Sequence, residues 1–291
     1  MKGEGKLSAK YRAILKLMRV EQWYKNLLIM VPAVFSLRLV DVSIYPSLIA
    51  GFLSLSLASS AGYVFNDIRD LERDKLHPRK RHRPLPSGQV SRREAELLML
   101  MLVLASLSLA ASLGTCFAAF TAALILVACL YSFYLKNVPV VDVTVIAVNY
   151  LIRAVAGAVL IEVEASPWLI AGIFFLALFL VLSKRKAELS IVGSASREVL
   201  RVYSGKWLDQ ALNMSAAMVM VTYAIYCAEV PLGHKLVPTI PLMAFFLMRY
   251  MLALELGSGE QPHEVILGDR LTLLAAIALI LSVLLLVYAW P

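Results

Sequence analysis

Residues 66–86 read Asn-Asp-Ile-Arg-Asp-Leu-Glu-Arg-Asp-Lys-Leu-His-Pro-Arg-Lys-Arg-His-Arg-Pro-Leu-Pro. On a helix turning about 100° per residue, Asp67, Asp70 and Asp74 fall within about 60° of one another, and Asn66 lies about 40° from Asp70. Like charges one turn apart repel, so a face of this kind calls for a cation. Mg²⁺ prefers oxygen ligands and is usually held by one or two carboxylates together with substrate phosphates. Asn66, Asp67, Asp70 and Asp74 are therefore the expected Mg²⁺ ligands, the three aspartates being catalytic. The adjoining Arg79, Lys80, Arg81 and Arg83 suit phosphate groups, although a solvated loop that sets membrane topology would carry the same basic residues.

The elements around this segment are apolar. Of 291 residues 60% are hydrophobic and only 16% charged, whereas soluble domains hold roughly 45–50% apolar residues. Uncharged runs cover 42–66, 97–135, 165–183, 210–228 and 271–291, each near or above the ~20 residues that cross a bilayer. A secreted enzyme, a nucleic-acid module and a disulfide scaffold are excluded. Cys116, Cys129 and Cys227 lie in apolar runs without metal-binding spacing. The start of the chain carries charges and an amphipathic stretch over 7–22, read as an interfacial helix, in place of a secretory signal.

The pattern predicts an all-α membrane domain of nine transmembrane helices around a central cavity open to the cytoplasmic side. The expected spans are 26–42, 46–65, 94–113, 115–135, 138–160, 167–183, 207–229, 236–254 and 270–290, with residues 1–25 as the interfacial segment and 26–291 as the membrane domain. The 39-residue run must hold two helices, and Gly114 with Thr115 is the expected turn. Residues 1–25, 66–93 and 184–206 hold seven, nine and six Lys or Arg, together 22 of the 28 in the chain. A cytoplasmic N-terminus, cytoplasmic loops at 66–93 and 184–206, and an external C-terminus follow, in the cell membrane.

Two charges fall within the fifth span. Arg153 stands about halfway along it, where a lone charge costs ~2.5–3.5 kcal/mol even on a lenient scale, so it must face the interior, either binding substrate or in a structural role, capping carbonyls or pairing with a carboxylate. Asp142 lies some 16 Å away along the axis, too far for a direct pair, and is expected near the cavity mouth as a metal ligand or an acceptor for sugar hydroxyls. His77, His82, His234 and His263 show no paired metal spacing.

Asn-Asp-x-x-Asp-x-x-x-Asp after the second of nine spans resembles the first aspartate-rich motif of the UbiA superfamily of intramembrane prenyltransferases, in which the aspartates hold Mg²⁺ on a prenyl diphosphate. Arg19 to Asn26, residues 66–86, Tyr150 to Gly157, Lys184 to Leu189 and the stretch from Arg249 to Arg270 together resemble its polyprenyl-phosphate (decaprenyl-phosphate) phosphoribosyltransferase branch. The resemblance implies that Gln22, Lys25 and Asn26 line the cavity at the start of the first span, with Tyr150, Arg153 and Arg249 also binding substrate. Ordinary members carry a second Asp-x-x-x-Asp motif after the sixth span, where this chain has Lys184, Arg185, Lys186 and Glu188. Cations there would bind a second anion, a sugar 5-phosphate or a lipid phosphate. An ion pair between Lys184 and Glu188, one turn apart, is the plainer alternative.

The implied activity is Mg²⁺-dependent transfer of 5-phosphoribosyl from phosphoribosyl diphosphate to a polyprenyl phosphate. The alternative is transfer of a prenyl group to an aromatic or glycerol-phosphate acceptor. A transporter would be expected to show broken helices and internal repeats, which the sequence lacks. Phosphoribosyl diphosphate, a polyprenyl phosphate and the membrane are the expected partners, nucleic acid is not one, and homo-oligomerisation is left open.

Overall fold

The computed structural model describes residues 2–78, 80–193 and 198–289, which are helical with short connections and include no strand. In chain order the helices are α1 (Lys2–Met18), α2 (Val31–Phe35), α3 (Tyr45–Arg69), α4 (Leu71–Leu76), α5 (Arg92–Ser112), α6 (Thr115–Phe133), α7 (Val141–Leu160), α8 (Pro167–Val192), α9 (Gly205–Glu229), α10 (Ile240–Glu255), α11 (Pro262–Gly268) and α12 (Arg270–Tyr288). Among the described residues eight helical stretches are long and apolar enough to cross a membrane. The protein is an all-α, multi-pass membrane protein.

The expected first span, 26–42, is not one regular helix. A 3₁₀ segment, Val20–Met30, leads into the five residues of α2, and a second 3₁₀ turn covers Arg38–Val40. Arg19 and Leu37 adopt left-handed backbone (φ 53° and 61°), which a helix cannot continue through, and Pro32 lacks the N–H a helix interior uses. The expected cytoplasmic loops are also partly helical: α3 runs to Arg69, α4 follows at once, and α8 extends to Val192. The expected turn at Gly114 is present, with φ 120° open only to glycine. Helix starts carry the usual signals, such as Ser91 and Glu94 in a reciprocal capping box ahead of α5.

The described residues form two compact units. The first draws on the described residues of 1–31, 41–135 and 155–163, the second on those of 32–40, 136–154 and 164–291. In the first, α3 packs on α5 and α6 through small residues, among them buried Ser54, Ala58 and Ala61, which let helices approach closely in lipid. Ser54 Oγ donates to Ser106 O (2.9 Å) and Ser106 Oγ to Ser54 O (2.8 Å), so neither hydroxyl is left unsatisfied where water is absent. In the second, α8 packs on α9 around Phe179, Leu182, Leu208, Leu212 and Tyr250.

Gly157 sets the closest approach in the first unit. A Cβ there would lie 2.1 Å from the carbonyl oxygen of Ile29, and backbone cannot yield as a side chain can. Gly157→Ala should therefore cost at least the ~1–3 kcal/mol of ordinary overpacking, read as a lowered thermal midpoint in detergent. An unchanged midpoint would mean that this approach is not tight.

Candidate active site

Residues 66–78 and 80–86 lie within the first unit. α3 ends at Arg69, Asp70 forms the joint, and α4 carries on, with Asp70 N bonded to Asn66 O (2.9 Å) and Asp74 N to Asp70 O (2.7 Å). The helical spacing is thus nearly kept across the joint. Asp67 and Asp74, seven residues apart, are buried at 2% and 1% exposure, while Asn66 and Asp70 are half-buried. Arg83 Nη1 donates to both buried carboxylates, at 3.3 Å from Asp67 Oδ1 and 2.9 Å from Asp74 Oδ2. Arg19 Nη2 donates to Asp67 Oδ1 (2.6 Å), and Lys80 Nζ lies 3.8 Å from Asp74 Oδ1.

These pairs offset the repulsion between the carboxylates in the absence of a metal. Lys80 and Arg83 neutralise carboxylates, Arg81 is exposed and bonds His82 (3.2 Å), and Arg79 lies outside the described residues. Among the described residues no set of three or more His, Cys, Asp or Glu side chains is gathered for a metal. Two hard oxygen donors do converge on one cationic nitrogen. That donor set fits Mg²⁺, which needs only one or two carboxylates besides phosphate and water.

Gln22, Lys25 and Asn26 divide. Gln22 Oε1 accepts from Lys25 Nζ (2.7 Å) and Tyr63 OH (3.3 Å). Asn26, 1% exposed, is taken up in packing: its amide donates to Ser56 Oγ (3.0 Å) and accepts from Ser59 Oγ (3.3 Å). It pins the 3₁₀ segment to α3. Trp23 Nε1 donates to Ser60 Oγ (3.0 Å) in the same seam.

The second unit holds a different cluster. Arg185, 1% exposed, donates through Nε to Asp142 Oδ2 (2.9 Å) and through Nη1 to Glu188 Oε2 (2.9 Å). Tyr203 OH donates to Asp142 Oδ1 (2.6 Å) and accepts from Val140 N (2.6 Å). Burial and the Asp142 carboxylate push the Tyr203 phenol well above its ordinary value, so it stays a neutral donor. Both oxygens of Asp142 are thus engaged inside the protein, and Arg185 is compensated by two carboxylates. Glu188, the alternative partner of Lys184, takes Arg185 through a three-residue step, and Lys184 Nζ reaches Gln261 Oε1 (2.9 Å).

Arg249 makes a two-point bond to Asp269, Nε to Oδ2 at 2.9 Å and Nη2 to Oδ1 at 2.6 Å. Asp269 also caps α12 through Thr272 N and Oγ1. Arg249 first, then Thr272, holds the Asp269 carboxyl far below the usual range. Arg153 is buried, donates through Nη1 to Asn149 O, and sets its guanidinium 5.6 Å from the Tyr150 ring. Sequence reasoning assigned no role to Arg19, Tyr203, Gln261 or Asp269, each of which partners a candidate residue.

A helical membrane fold with two buried carboxylates gathered at the end of a span defines the class. The family model for the UbiA prenyltransferase family matches residues 27–267, and the chain belongs to that family. It is 32% identical to a decaprenyl-phosphate phosphoribosyltransferase of Mycobacterium tuberculosis, over 93% of this chain and 92% of that one. It is 28% identical to the Corynebacterium glutamicum protein of the same name, over 96% and 87%. A UbiA homolog from Archaeoglobus fulgidus, solved bound to GPP and Mg²⁺, superposes with a TM-score of 0.73 at 20% identity, over 94% of this chain and 99% of that one.

Proposed function

We propose that the protein is a pentosyltransferase that moves the 5-phosphoribosyl group of phosphoribosyl diphosphate onto a polyprenyl phosphate and releases diphosphate. The observation that carries this reading is likeness over more than nine-tenths of both chains to a relative named for a decaprenyl-phosphate acceptor and phosphoribosyl transfer. Asp67 and Asp74, with Asn66 and Asp70 beside them, would hold Mg²⁺, which when bound neutralises charge on the leaving diphosphate. Arg19, Lys80 and Arg83 bind that diphosphate. The acceptor phosphate is already an anion and needs no general base, in keeping with a chain whose histidines assemble no catalytic pair. Lys184 contributes a phosphate contact. Arg185, Asp142, Glu188 and Arg249 hold the scaffold that presents it.

Radiolabelled phosphoribosyl diphosphate incubated with purified protein, Mg²⁺ and polyprenyl phosphate should place label in the organic extract. Label confined to the aqueous phase would remove the reading. A second reading, prenyl transfer to an aromatic or glycerol-phosphate acceptor, is favoured by the fold shared with the GPP-bound homolog.

Nine crossings belong to the same proposal. Eleven 3₁₀ residues at about 2.0 Å each and five α-helical ones at about 1.5 Å span roughly 30 Å, which is about the hydrocarbon thickness. Residues 20–35 then supply the remaining crossing, and the chain begins and ends on opposite sides. A reporter fused after Pro291 should be exported, while one inserted between Ser87 and Arg92 should stay cytoplasmic. A cytoplasmic reporter at the C-terminus would reduce the crossings to the eight regular spans.

A further inference from the structure

One guanidinium nitrogen, Arg83 Nη1, holds the point on which two buried carboxylates converge, with Arg19 and Lys80 at their flanks. We propose that Arg83 is an exchangeable counter-ion. It keeps Asp67 and Asp74 together in the metal-free protein and passes to the diphosphate when a divalent ion takes the carboxylates, so that metal and diphosphate bind as one package. The proposal rests on the donor-site reading above and adds to it a competition inside the protein.

Charge carries the first part of the inference. Two carboxylates, Asp67 and Asp74, are already paired with three cations, Arg19, Lys80 and Arg83. A divalent ion arriving alone adds to this excess of positive charge at a site partly shielded from water, where charge separation is costly. A diphosphate supplies the missing negative charge. A guanidinium that has left a carboxylate is also suited to phosphate oxygens, which it binds through two parallel N–H groups.

Mobility carries the second part. Arg83 sits in a connection of short turns between α4 and α5, with Ser87 N bonded to Arg83 O (3.0 Å) and Val90 N to Pro84 O (3.1 Å). Its side chain is 32% exposed, against 3% and 2% for the two aspartates. Leu85 and Val90, both buried, anchor the connection in the core of the first unit. The guanidinium can therefore move while its backbone stays fixed.

Binding of Mn²⁺ to purified protein, followed by electron paramagnetic resonance with and without inorganic diphosphate, tests the exchange without turnover. Wild type should bind Mn²⁺ weakly alone and at least about ten-fold more tightly with diphosphate. Arg83→Gln should bind Mn²⁺ alone about three- to ten-fold more tightly than wild type, and its diphosphate enhancement should fall to about three-fold or less. Arg69→Gln, which removes a nearby cation stacked on Phe133, should behave as wild type and so separates exchange from general charge removal. If Arg83→Gln does not fold, Arg83→Lys replaces it, with an enhancement expected between the two. Equal Mn²⁺ affinity and equal enhancement in wild type and the Arg83 variant would overturn the exchange while leaving the metal site standing. Wild type that binds no Mn²⁺ even with diphosphate would overturn both.

Discussion

Asp67→Asn and Asp74→Asn should each lower turnover by about 10²-fold or more, the scale of losing one electrostatic contact to developing charge, while the protein remains folded in detergent. Both side chains are buried and converge on a single cationic nitrogen, so an amide at either position keeps the shape and removes half of the charge. Asp70→Asn should fall less, because Asp70 sits half-buried at the joint between α3 and α4. EDTA should mimic the two severe variants, and activity unchanged by EDTA would remove the role given to Mg²⁺. Thermal midpoints taken alongside separate loss of chemistry from loss of fold, since Arg19 and Arg83 lose an ionised partner in Asp67→Asn.

The second large effect falls on stability and separates two neighbours in sequence. Arg185→Ala leaves Asp142 and Glu188 buried without the guanidinium between them, and breaking such a set typically costs about 3–5 kcal/mol. The variant should therefore be recovered poorly, with a thermal midpoint well below wild type. The triple variant Arg185→Met, Asp142→Asn, Glu188→Gln should regain part of that loss, because no uncompensated charge is left buried, while the two amides left short of partners keep it below wild type. Lys184→Ala should behave differently: folded, with KM for one phosphate substrate raised about ten-fold, the worth of one charge-assisted contact of roughly 1.5–3 kcal/mol. Arg185→Ala with an unchanged midpoint and a raised KM would make Arg185 a substrate ligand after all.

What could be read from the chain follows from the range over which its physics acts. The membrane class, the turn at Gly114 and the convergence of Asp67 with Asp74 are set by composition and by spacing within one or two turns. Arg83 was visible as a cation but not as the bridge, because its position depends on a connection that Pro84 and Pro86 keep from being helical. Arg19 lies 48 residues from Asp67, and Asp142 lies 43 from Arg185. Such pairs exist only once helices pack. The first span escaped for another reason: α and 3₁₀ turns draw on the same residue types, and the left-handed backbone at Arg19 and Leu37 is set by residues that give no sign of it in sequence. At Glu188 the sequence pointed to Lys184 one turn away, and the bond from Arg185 became legible only once Asp142 of another helix packed beside it.

The choice of donor separates phosphoribosyl transfer from prenyl transfer. Purified protein in lipid vesicles with Mg²⁺ and a polyprenyl phosphate is offered phosphoribosyl diphosphate and a prenyl diphosphate at equal concentration, with an aromatic acceptor also present, and the lipid products are weighed by mass spectrometry. The expected product is a polyprenyl phosphate heavier by one phosphoribosyl group, formed with one equivalent of diphosphate and absent after EDTA. Untouched phosphoribosyl diphosphate together with a prenylated aromatic acceptor would contradict it.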